Sequence, residues 1–204
     1  MTKVCTNCKT EKKLEQFYAP SRSHCIDCER RAAKERMKRY YATFRGKAAQ
    51  ALNDSRKAVK RIEREQGVKV EDDLTIYEVL WIFSEPCCAY CGKEVPEQDR
   101  TLDHITPIKY GGSNTFDNVM MACRSCNSAK ADRPVYDFIH RQQNIEATKQ
   151  LVERVAARRV TSYYDVLDEW EQQATYYHVE QVKERLRKRM REYRRKQATT
   201  QVEK

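Results

Sequence analysis

Two cysteine pairs, Cys88-Ala-Tyr-Cys91 and Cys123-Arg-Ser-Cys126, stand about thirty residues apart. They enclose Asp103, His104 and Asn118, and Asn127 follows the last cysteine directly. Two C-x-x-C knuckles at that distance can close one tetrahedral zinc site with four thiolate ligands. Inside the clamp, a neutral His104 is able to accept a proton from water near pH 8, because an ordinary imidazole has a pKa of about 6.5. Asp103 and the amide oxygen of Asn127 are the kind of donors a hard cation such as Mg²⁺ or Mn²⁺ takes. A base beside a Lewis acid meets both needs of phosphodiester hydrolysis: a nucleophilic water and a neutralised 3′-oxygen on departure. Adjacent strand residues face opposite ways. Asp103 and His104 therefore share a site only where a strand ends or twists, and Pro107 just beyond is consistent with that.

The elements around these residues follow from local pattern. Thr101–His104 reads as a short strand before the turn-rich Lys109-Tyr-Gly-Gly-Ser-Asn114, and Val119–Ala122 as its antiparallel partner. A helix is expected from Arg124 onward. In that order, strand, loop, strand and helix, the segment resembles the HNH endonuclease family, in the variant whose third motif residue is Asn. The matching text is Cys88-x-x-Cys91, Asp103-His104-Ile105-x-Pro107, Gly111-Gly112-Ser113-Asn114, Asn118 and Cys123-x-x-Cys126-Asn127-x-x-Lys130, over roughly residues 86–135. The resemblance implies a ββα-metal fold and a catalytic set of His104, Asp103, Asn118 and Asn127. In it, Asn118 braces the loop through backbone hydrogen bonds and keeps the His104 ring in register, and Arg124 and Lys130 are candidate phosphate contacts. Asn127 departs from the commonest form, which has a second histidine; an amide is a weaker ligand, so the metal preference stays open. The flanking helices are similar to those of small HNH proteins encoded by bacteriophages.

A second set of paired cysteines, Cys5, Cys8, Cys25 and Cys28, lies in residues 1–30. So short a piece builds almost no hydrophobic core, so a metal is expected to hold it, zinc ahead of an iron–sulfur cluster. Eight of the nine cysteines thus fall into C-x-x-C pairs, a usage that points to metal and a reducing compartment. Residues 29–66 contain thirteen Lys and Arg against five acids, a net +8, with no proline and Gly46 as the only glycine. They read as one or two basic helices, broken near Gly46 and ending at Gly67, either on phosphates or simply solvated.

Thr75-Ile-Tyr-Glu78 fits a capping box ahead of Val79, Leu80, Ile82 and Phe83, with Pro86 as the stop. Beyond Asn144 the pattern is helical: a stripe at Leu151, Val152, Val155 and Ala156, then a cap at Ser162-Tyr-Tyr-Asp165 opening a short helix with Val166, Leu167 and Trp170. Val179, Val182, Leu186, Met190 and Tyr193 step by 3, 4, 4 and 3, a seam suited to a partner helix. Residues 183–196 carry nine bases and two acids, net +7, which suits a DNA arm equally well. Thr199–Lys204 are expected to fray.

The whole chain of 204 residues carries a net charge of +10 and is 34% charged, with a pI near 9.1 and a mean hydropathy of −0.92. This balance favours nucleic acid as the partner, and no run is long or apolar enough for a membrane span. The expected class is α+β: a small ββα-metal HNH module with structural zinc, flanked by an N-terminal zinc knuckle and basic α-helical extensions. The expected division is residues 1–30 (knuckle), 31–70 (basic helical linker), 71–140 (nuclease module) and 141–204 (helical basic extension). The expected activity is metal-dependent DNA cleavage with two structural zinc ions and one catalytic Mg²⁺ or Mn²⁺, in a cytoplasmic protein of a bacterial host cell, with a homodimer through the C-terminal helix open. The alternatives are a non-catalytic zinc-stabilised nucleic-acid-binding protein and a site-specific homing or restriction enzyme.

Overall fold

The computed structural model describes residues 1–142 and 144–202. The chain forms two compact units, Met1–Gln50 and Ala51–Lys204. The first opens with a hairpin of β1 (Thr2–Val4) and β2 (Glu11–Lys13), antiparallel with Lys3 opposite Lys12. Its buried cluster is Cys5, Phe17, Cys25 and Cys28. One ring and three thiols offer little apolar surface, which leaves the cysteines as the organising feature of this end.

Helix α1 (Ile26–Tyr41) gives way to α2 (Phe44–Gln66) at Ala42 and Thr43, just upstream of the expected break. The Thr43 hydroxyl donates to Tyr40 O (2.7 Å) and accepts from Gly46 N (3.0 Å). A Cβ on Gly46 would sit 1.8 Å from Tyr40 O. Gly46 therefore does not break a helix; it permits the close approach at which the second one starts.

In the second unit, the C-terminal half of α2 packs Val59 and Ile62 with Ile108. Helix α3 (Ile76–Ser84) has the expected capping box: Thr75 accepts from Glu78 N, and Glu78 accepts from Thr75 N at 2.7 Å. Strands β3 (Arg100–His104) and β4 (Val119–Cys123) pair antiparallel, with Asp103 opposite Met120 and His104 opposite Val119. Val119–Ala122 are all buried, and α3 and α4 (Arg124–Lys130) pack on the pair. Helices α5 (Val135–Gln142) and α6 (Ile145–Arg159) follow.

The expected short helix and separate seam are corrected: Tyr163–Val202 is one helix, α7, of 40 residues. No glycine or proline interrupts it, so nothing ends it. Val166, Trp170 and Ala174 are buried where α7 meets α5 and α6. The helix reaches Val202, through most of the segment expected to fray; Glu203 and Lys204 lie outside the described residues. No helix among the described residues is long and apolar enough to cross a membrane.

Candidate active site

The site begins where β3 ends. Ile105 N donates to Asn118 O (2.8 Å), and Asn118, 2% exposed, clamps the loop that leaves the strand. Its Oδ1 accepts from Thr106 N (2.9 Å), and its Nδ2 donates to Thr106 O (3.0 Å) and Ser113 O (2.7 Å). The loop closes because Gly112 has no side chain: a Cβ there would lie 1.9 Å from Thr106 O. With the strand finished at His104, Asp103 and His104 both line one groove, together with Asn127 at the first turns of α4. Arg61 and Glu65 of α2, with Lys109, form further parts of its wall.

The His104 Nε2 atom lies 2.9 Å from Asn114 Oδ1 and 3.3 Å from Ser55 Oγ. Burial lowers the His104 pKa from its ordinary value, against the opposing pull of the Asn114 hydrogen bond and the Asp103 charge. This favours the neutral ring that a base requires.

Asp103 is 7% exposed. Its Oδ2 accepts from the Tyr90 hydroxyl and lies 2.9 Å from Lys130 Nζ. Burial, then the Asp103 charge, push the Tyr90 pKa well above the ordinary phenol value, so it remains a donor. Lys130 also donates to His104 O (2.6 Å) and is completely buried. The expectation of a phosphate contact at Lys130 is therefore corrected: its ammonium is spent inside the protein, on the carboxylate and on the end of β3. Asn127 Nδ2 donates to Thr101 Oγ1 (3.0 Å) and Leu102 O (3.3 Å), which leaves its Oδ1 as the atom available to a cation. Arg124 is exposed and lies beside Cys123 and Ser128, apart from the groove residues.

Among the described residues two thiol clusters could hold a metal ion, Cys5/Cys8/Cys25/Cys28 and Cys88/Cys91/Cys123/Cys126, with the ligand atoms of each all within 4.8 Å of one another. The donor chemistry fits. Burial, then the charge of Cys88, push the Cys126 thiol far up, and four thiolates so close ionise together only around a cation. Cys123 ends β4 and begins α4, its Sγ accepting from Cys126 N at 3.4 Å. The second cluster thus anchors the strand–helix junction that carries Asn127.

Residues 88–141 match the model of a family described as HNH endonuclease. The CRISPR-associated endonuclease Cas9 of Corynebacterium diphtheriae is 34% identical over 93 residues, 44% of this chain and 8% of that protein. The chain thus spans a small fraction of the curated relative it matches. Among solved structures, the Type II-C Cas9 of Actinomyces naeslundii has a TM-score of 0.33 at 19% identity, covering 74% of this chain and 15% of that one. The rare-cutting HNH restriction endonuclease PacI has a TM-score of 0.32 at 17% identity, covering 74% of this chain and 96% of that one.

Sequence reasoning missed Ser55, Asn114, Tyr90 and Asp72, whose Oδ1 accepts from Asn114 Nδ2 (2.7 Å). Asn114 stands within the matched HNH strings, which was the one signal available for it, whereas Tyr90 fills an unspecified position of Cys88-x-x-Cys91. Nothing in the basic helix marks Ser55, which meets His104 across 49 positions of chain.

Proposed function

We propose that this chain is a metal-dependent DNA endonuclease of the HNH type. The observation that carries the reading is the shared groove of Asp103, His104 and Asn127, with burial lowering the His104 pKa and the Asn127 amide oxygen bonded by no donor among the described residues. His104 takes the proton of the attacking water; a P–O bond forms to that water as the bond to the 3′-oxygen breaks. Asp103, through Oδ1, and Asn127, through its amide oxygen, would hold a divalent cation such as Mg²⁺ or Mn²⁺. Bound there, that ion supplies Lewis-acid stabilisation of the departing oxygen. Asn118 sets the loop that ends β3, and Arg61 and Lys109 offer positive charge along the groove wall. Zinc is the ion proposed for both thiol clusters, since four cysteine thiolates make a closed structural site.

DNA is the proposed polymer because the basic segments 29–66 and 183–196, at +8 and +7, exceed the charge of the whole chain. Val179, Val182, Leu186, Met190 and Tyr193 are all exposed on α7, and a homodimer would form through that stripe. One active centre per chain nicks one strand. Purified protein incubated with supercoiled plasmid and separate divalent cations tests the reading: nicked product that requires the cation is expected. Binding to plasmid without any cleavage, across Mg²⁺ and Mn²⁺, would instead assign a non-catalytic DNA-binding role.

A further inference from the structure

Asn114 is fully buried and takes no part in the cation ligands or in the bracing by Asn118. The orientation of its amide is set from one side. Its Nδ2 lies 2.7 Å from Asp72 Oδ1, and an ionised carboxylate only accepts, so the nitrogen must face it. Asn114 Oδ1 then faces Ser55 Oγ and His104 Nε2, the latter at 2.9 Å. An amide oxygen also only accepts, so each of these neighbours must bring a hydrogen. The neutral His104 ring therefore carries its hydrogen on Nε2 and keeps its lone pair on Nδ1. Among the described residues no protein group bonds Nδ1. With the Asn114 amide reversed, Nε2 would become the acceptor, and Nδ1 would carry the hydrogen and be useless as a base.

Resting on the nuclease reading above, we propose that Asn114 is a positioning residue that locks His104 in the Nε2–H tautomer, its amide held in place by Asp72 and Ser55, so that Nδ1 is the basic atom. The chain of command runs from a carboxylate through an amide to the imidazole, and each link is a directional hydrogen bond. Ser55 does not choose the orientation, because a hydroxyl donates or accepts with equal ease; it fills the second lone pair of Asn114 Oδ1. Asp72 does choose it. Helix α2, which supplies Ser55, is by this account part of the catalytic centre.

Asn114 also has backbone bonds to Glu71 O (2.8 Å) and from Leu74 N (3.1 Å), so its replacement carries a risk to the fold. The test therefore starts from the unaltered, metal-loaded protein. Selective ¹⁵N labelling of the four histidines and long-range proton–nitrogen correlation at pH 8 read the tautomer of His104 directly. A protonated Nε2 with an unprotonated Nδ1 is expected. Asp72→Asn, close to isosteric, lets the Asn114 amide turn over. It should give a mixture of the two tautomers and lower kcat for plasmid nicking by at least about tenfold, out of the roughly 10²–10⁴-fold a positioned base contributes, with KM unchanged. Asn114→Ala should do the same. A parental His104 bearing its hydrogen on Nδ1 overturns the proposal even if the protein nicks DNA, as do unchanged tautomers and unchanged kcat in both variants. A protein with the expected tautomer and no nicking at all supports the hydrogen-bond assignment and overturns the nuclease reading instead.

Discussion

Lys130 Nζ lies 2.9 Å from Asp103 Oδ2, with the lysine wholly buried and the aspartate nearly so. The residue proposed to hold a catalytic cation already has a cation of its own. One consequence follows from charge alone: the ammonium weakens the attraction of that carboxylate for a divalent ion.

Removing one partner of a buried ion pair leaves the other uncompensated, at a cost of about 3–5 kcal/mol. Lys130→Met should therefore lower the thermal midpoint by many degrees in buffer without added divalent ions. Millimolar Mg²⁺ or Mn²⁺ should recover part of that loss, since a cation on Asp103 now neutralises the stranded charge. A calorimetric scan with and without Mn²⁺ checks both halves. A midpoint unaffected by the substitution would show that Asp103 does not depend on Lys130.

His104→Ala should reduce nicking by about 10²–10⁴-fold while leaving folding, metal content and DNA binding intact. The pH profile of the parental protein carries a second check. Protonation removes the base, and burial lowers the pKa of His104, so the rate should hold as pH falls through neutrality and decline only below the ordinary imidazole value of about 6.5. Plasmid nicking measured from pH 5 to pH 9 reads this; an acid limb centred above pH 7 contradicts the assignment.

Elemental analysis of protein purified without chelator should find two zinc ions per chain. Cys123→Ser should unfold the nuclease segment, because Cys123 both ends β4 and begins α4. Cys5→Ser should leave that segment folded, because the first thiol cluster lies in the other compact unit. Near-ultraviolet circular dichroism of the two variants separates these outcomes. A collapse of the nuclease-segment signal in Cys5→Ser would mean that the units fold together.

A chain ending at Val182 keeps the buried residues Val166, Trp170 and Ala174 of α7 and loses the +7 segment 183–196. It should bind every DNA sequence more weakly. The slope of log K against log salt should also flatten, by about 0.9 for each phosphate that the shortened chain no longer neutralises. An unchanged slope accompanied by a halved mass in solution would assign the segment to dimerisation.

Much of the site is legible in the sequence alone, for local reasons. The strand and helix around Asp103, His104 and Asn127 announce themselves through turn residues, cysteine pairs and a proline. The Thr75 capping box needs only four residues to be recognised. Lys130 misleads for an equally local reason: lysine at a helix end ordinarily faces water, and only the tertiary fold brings Asp103 and the His104 carbonyl to it. Ser55 is invisible because its partner lies 49 positions away, and a serine in a run of basic residues has no distinguishing periodicity. The length of α7 is obscured by a cap-like string and a change in apolar spacing, although the absence of glycine and proline holds the answer.

The unbroken course of α7 makes it a ruler. At 1.5 Å per residue, the stretch from Ala174, the last buried position among the described residues, to Tyr193 measures roughly 29 Å, close to eight or nine base pairs of B-DNA. A disordered basic tail would sample many distances from the groove and blur the boundary of whatever it protects. A rigid arm fixes that distance. On the nuclease reading proposed above, the DNA that this chain covers should accordingly have a sharp edge at a constant offset from the point of cleavage, whatever the sequence beneath it.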